Sequence, residues 1–266
     1  MARGLDFPLP LWSAESNLTD PDVVKSVHQD YVNAGADIIG TNTFRTTTWT
    51  YRKAGFTPKR AAERAKSSLM KAVDLARSAN PKITAGSITT IEDCYESESF
   101  PGRDAAEDTY GENVEWFKEA GVDVILFETM GHLDEIDVAL KSVNENKIWL
   151  SLIVNDDDHL LSGHPIESVY ELAKYKVDVL MLNCNTIDKT DQTLEKMINN
   201  WGRDWGVYPN LGLTEPEPDG EMKEKVDDRS FSKIISKYLG MNPMVIGSCC
   251  GSTPKHTEMI YKLVNL

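Results

Sequence analysis

Three of the four cysteines in this chain stand where apolar segments give way to polar turns. Cys184 lies within Met181-Leu-Asn-Cys-Asn185, and Cys249 and Cys250 are adjacent within Gly247-Ser-Cys-Cys-Gly-Ser-Thr-Pro254. Such a transition is typical of the carboxyl end of a buried parallel strand. Three thiolates that meet at one end of a sheet could hold a zinc ion (Zn²⁺) and leave one tetrahedral position open, as catalytic zinc sites do.

The adjacent pair can serve one metal ion only if the strand has already ended, because neighbouring side chains in a strand point to opposite faces. Gly247 and Gly251 flank the pair and allow the backbone to turn. Thr253-Pro254 is a typical start of a helix. The spacing is not that of a zinc finger, however, and free cysteine is often buried as a small apolar residue. Spacing alone therefore leaves a metal site and three packed thiols equally open.

A repeated order of strand and helix surrounds these cysteines. Ala34-Gly-Ala-Asp37 and Ala120-Gly-Val-Asp123 each close a helix and open an apolar run, with a glycine suited to a left-handed helix terminus. The pattern predicts strands at Ala36–Phe44, Lys82–Ile88, Val122–Phe127, Ile148–Val154, Val177–Leu182, Val207–Leu211 and Met244–Gly247. It predicts helices at Pro21–Ala34, Pro58–Ser78, Ala105–Ala120, Leu133–Val143, Ile166–Tyr175, Thr190–Trp201 and Ser230–Leu239. This alternation indicates an α/β protein with a parallel sheet.

Two architectures fit seven strands. Met1–Asn17 contains no convincing strand, so a (β/α)8 TIM-type barrel would lack its first strand, whereas an open doubly wound sheet would be complete. No Gly-x-Gly-x-x-Gly or Walker motif supports a nucleotide-binding version of the open sheet. Acidic loops at Thr89–Asp104 and at Thr214–Asp228, the latter with Pro216 and Pro218, follow strands on the face where barrels form active sites.

Length and charge limit the class of protein. A chain of 266 residues with a formal net charge of −14 suits one domain over residues 1–266. The acidic balance argues against nucleic acid or an anionic membrane as a partner, since both require a basic surface. No apolar run approaches the ~20 residues of a membrane span, and the first residues lack the apolar core of a signal peptide. Four cysteines in so long a chain indicate thiols or metal ligands in a reducing cytoplasm.

Six segments of the chain recur in the order of a known enzyme family. They are Leu11-Trp-Ser-Ala14, Ala34-Gly-Ala-Asp-Ile-Ile-Gly-Thr-Asn-Thr-Phe44, Ala85-Gly-Ser87, Phe127-Glu-Thr129, Leu182-Asn-Cys184 and Gly247-Ser-Cys-Cys-Gly-Ser-Thr-Pro254. With them the chain resembles the homocysteine S-methyltransferase family, the zinc-dependent domain of betaine–homocysteine and S-methylmethionine–homocysteine methyltransferases. The double-cysteine segment is the most specific match. The resemblance implies an eight-stranded (β/α)8 barrel.

The resemblance also implies a metal site and a substrate. Cys184, Cys249 and Cys250 would be the three zinc ligands, and the sulfur of L-homocysteine would take the fourth position. Metal coordination would ionise that thiol, which would then accept a methyl group from a small cationic donor and give methionine. Glu128 would contact the ammonium group of homocysteine, for which a carboxylate is the natural partner.

Four further residues are expected at the substrate pocket. Thr43 and Phe44 match a segment that lines the pocket in the family, and Asn183 is expected to orient the turn before the first zinc ligand. Trp12 lies beside the expected active-site face, where its ring could stack on a cationic donor. The fourth cysteine, Cys94, matches no ligand of the family and is expected to be a bystander.

The chain departs from the family pattern in two places. Relatives begin with a strand that ends in an Asp-Gly-Gly-like segment, and this sequence has no such segment. Either the natural start lies upstream of Met1 or the protein is shortened. A shortened barrel would have an open seam, and its unpaired edges could be closed by a homodimer. In Ser87-Ile-Thr-Thr-Ile-Glu-Asp93, many relatives carry a Gly-Pro turn. The sequence also lacks cobalamin and folate modules, which favours a small donor: S-methylmethionine, S-adenosylmethionine, betaine or dimethylsulfoniopropionate.

Two other functions compete with the enzyme. A shortened, catalytically impaired zinc-binding homologue could act as a binding or partner subunit. A redox protein could instead use Cys249 and Cys250 as a reversible disulfide, although bonds between adjacent cysteines are strained and no Cys-x-x-Cys motif is present.

Overall fold

Seven parallel strands form one sheet in which each strand pairs with the next one along the chain. The computed structural model describes residues 5, 7–155, 158–214 and 222–266. Pro216 and Pro218, and most of the acidic run predicted around them, lie outside the described residues. The strands are β1 Ile38–Gly40, β2 Ile83–Ile88, β3 Val124–Met130, β4 Ile148–Leu152, β5 Val179–Asn183, β6 Trp205–Tyr208 and β7 Val245–Ile246.

Helices follow the strands, as the alternation predicts. They are α1 Ser16–Thr19, α2 Pro21–Asn33, α3 Thr48–Lys53, α4 Pro58–Ser78, α5 Arg103–Ala120, α6 Leu133–Ser142, α7 Glu167–Ala173, α8 Ile187–Trp201, α9 Asp228–Leu239 and α10 Pro254–Val264. Short 3-10 helices span Trp12–Glu15 and Ser97–Ser99. Among the described residues, no helix combines the length and apolar character needed to cross a bilayer.

The sheet is buried on both faces. Every residue of β4 and β5 is buried, as expected for parallel strands covered by helices. One face packs against the helices in the main apolar core, and the other carries a smaller cluster that includes Leu126, Trp149 and Met181. The result is a curled, incomplete barrel in which all carboxyl ends of the strands meet at one edge.

Most predicted strands are wrong in their bounds by a few residues, and the reason is visible for the first and the sixth. The first extends only over Ile38–Gly40, because the following threonines turn away and bond to β2 and to each other. The sixth is Trp205–Tyr208 rather than Val207–Leu211. Pro209 follows this strand directly, and proline has no N–H for a ladder hydrogen bond. Helix α3 was missed because it is a single short segment of six residues inside a loop.

The barrel has a seam between β1 and β7, which are the two ends of the sheet. Among residues 5 and 7–37, no strand precedes β1, as the sequence predicts, and closure by a homodimer stays a prediction. The helices nevertheless meet across the seam. Helix α2 contacts α10, and Gly35, just after α2, lies against Tyr261 of α10 so closely that a Cβ would be 2.5 Å from the ring. A cavity of about 710 Å³ lies between α2, the end of β1 and residues 252–254.

His28 projects from α2 at this cavity with 7 % of its surface exposed, and its Nε2 atom has no hydrogen-bond partner. Burial lowers the pKa of His28 to about 4, below its unfolded value of about 6.5. The folded protein thus keeps a neutral imidazole where the unfolded chain would take up a proton. Above pH 6.5 the free energy of unfolding therefore does not depend on the protonation of His28. It decreases as the pH falls from 6.5 toward 4, because only the unfolded chain takes up the proton.

We expect His28→Leu to reduce the dependence of the free energy of unfolding on pH between 6.5 and 4.5. The reduction should approach ~1.4 kcal/mol per pH unit, the value for one proton. Urea unfolding at several pH values measures it, with the exposed His164 replaced by leucine as the control. An unchanged slope in His28→Leu would show that His28 is protonated in the folded protein.

Candidate metal and substrate site

The sulfur atoms of Cys184, Cys249 and Cys250 lie within 4.8 Å of one another at the carboxyl edge of the sheet. Cys184 follows β5 directly with a positive φ of 53°, and the other two follow β7. The structure joins Cys184 and Cys249 in a disulfide, with their Cα atoms 5.6 Å apart, and leaves Cys250 as a thiol. The adjacent cysteines are therefore not the bonded pair, and the three sulfurs converge as the sequence predicts.

Asn210 connects the two segments that carry these cysteines. Its side-chain Nδ2 donates to the carbonyl oxygen of Cys184 at 2.8 Å, and its Oδ1 accepts from the backbone N–H of Cys250 at 3.1 Å. The amide is completely buried. A buried amide with both ends satisfied fixes the groups that it joins, because leaving either of them unpaired is costly. Sequence reasoning missed Asn210, although it too is a polar residue at a strand end.

Asn183 and Asn185 fasten the turn on either side of Cys184. Asn183 accepts from the N–H of Thr129 and donates to its hydroxyl, each at 3.0 Å, so β5 is tied to the end of β3. Asn185 accepts from the N–H of Val154 at 2.9 Å. Asn183 is fully buried in these contacts, and its role in orienting the turn stays a prediction.

Glu128 stands at the end of β3 between two hydroxyl donors. Ser87 donates to its Oε1, and Tyr208 donates to its Oε2 at 3.3 Å. Burial raises the pKa of Glu128, and these two hydrogen bonds oppose the rise. Tyr208 also reaches the sulfur cluster, since its carbonyl oxygen accepts from the N–H of Cys184 at 3.4 Å. A carboxylate thus lies beside the cysteines.

The negative charge of Glu128 affects the pKa of a cysteine in the sulfur cluster. Burial raises the pKa of the Cys250 thiol, and Glu128 raises it further. Without a cation, the site therefore disfavours ionised sulfur. A metal ion would reverse this balance, because a coordinated thiol is deprotonated.

A loop between β2 and α5 covers part of the site. Arg45 is buried beneath it and donates to the carbonyl oxygens of Thr90, Ile91 and Glu92 at 3.2, 3.3 and 2.8 Å. The hydroxyl of Tyr95 donates to the carbonyl oxygen of Cys184 at 3.4 Å.

Cys94, in the same loop, is buried, and burial raises the pKa of its thiol to about 12. It lies outside the group of three sulfurs.

The remaining predicted residues gather at the end of β1. Thr43 is fully buried and donates to the carbonyl oxygen of Ser87 at 2.6 Å. The half-buried rings of Trp12 and Phe44 stack with their centroids 6.3 Å apart. Thr43 is connected to Glu128 through Ser87, whereas no hydrogen bond or ring contact among the described residues joins Trp12 or Phe44 to the cysteines.

The site thus combines three sulfur ligands of the kind that soft metal ions prefer with a carboxylate suited to an ammonium group. Within the described part of the chain, it is the one group of three cysteine, histidine or acidic residues close enough to share a metal ion. Cys184 is 8 % exposed and the other two cysteines are half-buried. A ligand could therefore approach from the open side.

Comparison with known proteins agrees with this geometry. The sequence model of a family described as homocysteine S-methyltransferase matches residues 2–264. Homocysteine S-methyltransferase 2 of Zea mays is 26% identical, covering 99% of this chain and 86% of the relative. Homocysteine S-methyltransferase of Escherichia coli is 28% identical, covering 95% and 88%.

Solved structures show the same fold. The metallated form of the homocysteine methyltransferase MmuM from Escherichia coli superposes with a TM-score of 0.83 at 23% identity, covering 98% of this chain and 91% of the other. Its oxidized form superposes with a TM-score of 0.82.

We expect Arg45→Met to free the loop between β2 and α5, because three carbonyl oxygens lose their donor. Amide hydrogen exchange of residues 90–96 should accelerate about tenfold or more, as expected when buried polar groups lose a partner worth ~1.5 kcal/mol. Lys53→Met removes a partly exposed ion pair with Glu92 in the same loop and serves as the matched control. Equal exchange in both variants would contradict the anchoring role of Arg45.

Proposed function

Because the chain belongs to the homocysteine S-methyltransferase family, we propose that it transfers a methyl group from a small sulfonium or ammonium donor to the thiol of L-homocysteine, forming methionine. We further propose that Cys184, Cys249 and Cys250 bind zinc and that Glu128 binds the substrate ammonium group. The observation that carries the proposal is the convergence of three sulfurs beside this half-buried carboxylate.

The sulfur cluster fits a zinc ion. Zinc–sulfur bonds of about 2.3 Å in a tetrahedron put sulfur atoms about 3.8 Å apart, within the 4.8 Å that the three sulfurs span here. Binding requires reduction of the disulfide between Cys184 and Cys249, followed by loss of the thiol protons. Three protein ligands leave one tetrahedral position for a substrate sulfur.

Zinc in this position would keep the homocysteine thiol ionised at neutral pH. The protein's own residues then bind and orient. Glu128 pairs with the ammonium group, so the amino acid end of homocysteine is held while its sulfur faces the donor. The sulfur forms a bond to the methyl carbon as the bond from that carbon to the cationic sulfur or nitrogen breaks. The donor leaves as a neutral sulfide or amine, and the thiol proton passes to solvent.

A cationic donor suits the surroundings of the site. The chain carries a formal charge of −14, and Asp93, Glu96 and Glu98 are exposed or partly exposed on the loop that covers the cysteines. Trp12 and Phe44 offer a stacked aromatic surface at the end of β1, the kind of surface on which methylated cations bind. We assign Thr43 to support this region rather than to contact the donor, because its hydroxyl is fully buried and bonded.

Replacement of a zinc ligand tests the metal proposal. We expect reduced wild-type protein to bind one equivalent of zinc and Cys249→Ala to bind it at least about 100-fold more weakly, since loss of a group that merely supports a ligand already costs 10–100-fold. Methionine formation with a panel of the four donors should fall in parallel. Cys94→Ala is the matched control and should retain both properties. Normal methionine formation by Cys249→Ala would refute the role of the cluster.

Removal of the carboxylate charge tests the substrate proposal. Glu128→Gln keeps the shape of the side chain but should weaken binding of L-homocysteine to zinc-loaded protein by about tenfold or more, because a hydrogen bond between charged partners is worth ~1.5–3 kcal/mol. Calorimetric titration measures the change. If Glu128→Gln bound L-homocysteine with wild-type affinity, Glu128 would not be the group that binds the substrate ammonium.

A further inference from the structure

Two hydroxyl groups hold Glu128 from different strands. Ser87 lies in β2 and is 2 % exposed, and Tyr208 ends β6. Ser87 bonds Oε1 and Tyr208 bonds Oε2 of the same carboxylate. Both donors thus come from outside the strand that carries Glu128, and each occupies a different oxygen. The carboxylate is held in one orientation, with its remaining lone pairs free to accept from a ligand.

Each hydroxyl donor is itself fixed by the backbone around it. The carbonyl oxygen of Ser87 accepts from the Thr43 hydroxyl at 2.6 Å, and its N–H donates to the Thr41 hydroxyl at 3.2 Å. The carbonyl oxygen of Tyr208 accepts from the N–H of Cys184 at 3.4 Å. Hydrogen bonds therefore connect Glu128 through Ser87 to the threonines after β1, and through Tyr208 to Cys184 of the sulfur cluster.

We propose that Ser87 and Tyr208 are positioning residues that make the site select a thiol substrate carrying an ammonium group. They aim Glu128 at the amino end of homocysteine and set its distance from the sulfur cluster. This inference rests on the proposed function of Glu128 and goes beyond it. A hydroxyl donor on each oxygen favours the ionised carboxylate, and only the ionised form pairs strongly with an ammonium group.

The test compares two thiols that differ only in the amino group: L-homocysteine and 4-mercaptobutanoate. Their dissociation constants are measured by calorimetry on reduced, zinc-loaded protein for the wild type, Tyr208→Phe, Ser87→Ala and Glu128→Gln. Tyr238→Phe is the matched control, because it removes another buried tyrosine hydroxyl that donates to a carboxylate, that of Asp191 at 2.9 Å, between the outer helices α8 and α9. Zinc content and melting temperature are recorded for each variant.

We expect Tyr208→Phe and Ser87→Ala each to weaken L-homocysteine binding about fivefold or more, as for the loss of a hydrogen bond to a charged group. Binding of 4-mercaptobutanoate should change less than about twofold, because that ligand has no group for Glu128 to hold. The double variant Glu128→Gln with Tyr208→Phe should bind L-homocysteine no more weakly than Glu128→Gln alone, since the hydroxyl acts through the carboxylate. Tyr238→Phe should bind both ligands as the wild type does.

Other outcomes would overturn the inference in distinguishable ways. Equal weakening of both thiols in Tyr208→Phe and Ser87→Ala would show a general structural role. If Glu128→Gln discriminates between the thiols while Tyr208→Phe and Ser87→Ala do not, the carboxylate binds the ammonium group without these donors, and only this inference fails. If Glu128→Gln does not discriminate either, the proposed role of Glu128 fails as well.

Discussion

The two hydrogen bonds made by the side chain of Asn210 are the contact on which the sulfur cluster depends. One end of the amide holds the carbonyl group of Cys184, and the other holds the N–H of Cys250. These cysteines are 66 residues apart in the chain and follow different strands. Because the amide is buried, a lateral shift of either segment would leave a polar group without a partner. A neutral amide thus fixes the backbone of the two cysteine segments relative to each other, in addition to the disulfide between Cys184 and Cys249.

The rest of the fold brings the segments within reach of that amide. A parallel sheet gathers all carboxyl strand ends at one edge, so residues distant in sequence become neighbours there. Asn183 ties β5 to β3, and Ser87 ties β2 to the carboxylate on β3. The sheet itself does not close, since β1 and β7 are not paired. Contacts between α2 and α10 join the helices across the seam instead, and Cys249 and Cys250 follow β7, one of the two strands that border it.

Much of this arrangement could be predicted from the sequence because its signals are local. Gly121 ends a helix with a φ of +70°, and Thr253-Pro254 begins one, as their residue types indicate. The order of strands and helices follows from such signals, and the segments around Cys184 and Cys249 carry enough family-specific residues to indicate that their sulfurs converge. The described part of the chain also contains the seven strands that its apolar runs predict.

The contacts that set the geometry could not be predicted, because they join residues that are distant in sequence. Tyr208 and Ser87 are ordinary strand residues until the sheet places them on either side of Glu128. Asn210 follows a proline in a segment that the sequence assigns to a strand, whereas the strand ends at Tyr208. The sequence therefore does not indicate that its side chain joins Cys184 to Cys250. The stacking of the Trp12 ring on Phe44 likewise joins two segments that are distant in sequence. Local pattern indicates what a residue can do but not which distant group it meets.

The most direct test of a zinc-bound substrate thiol is X-ray absorption spectroscopy at the zinc edge on reduced, zinc-loaded protein, with and without L-homocysteine. Three cysteine ligands and an open position predict three sulfur neighbours at about 2.3 Å plus one lighter atom in the free protein. Addition of L-homocysteine should raise the number of sulfur neighbours to four. A sulfur count that does not change with saturating L-homocysteine would contradict direct binding of the substrate sulfur to the metal held by Cys184, Cys249 and Cys250.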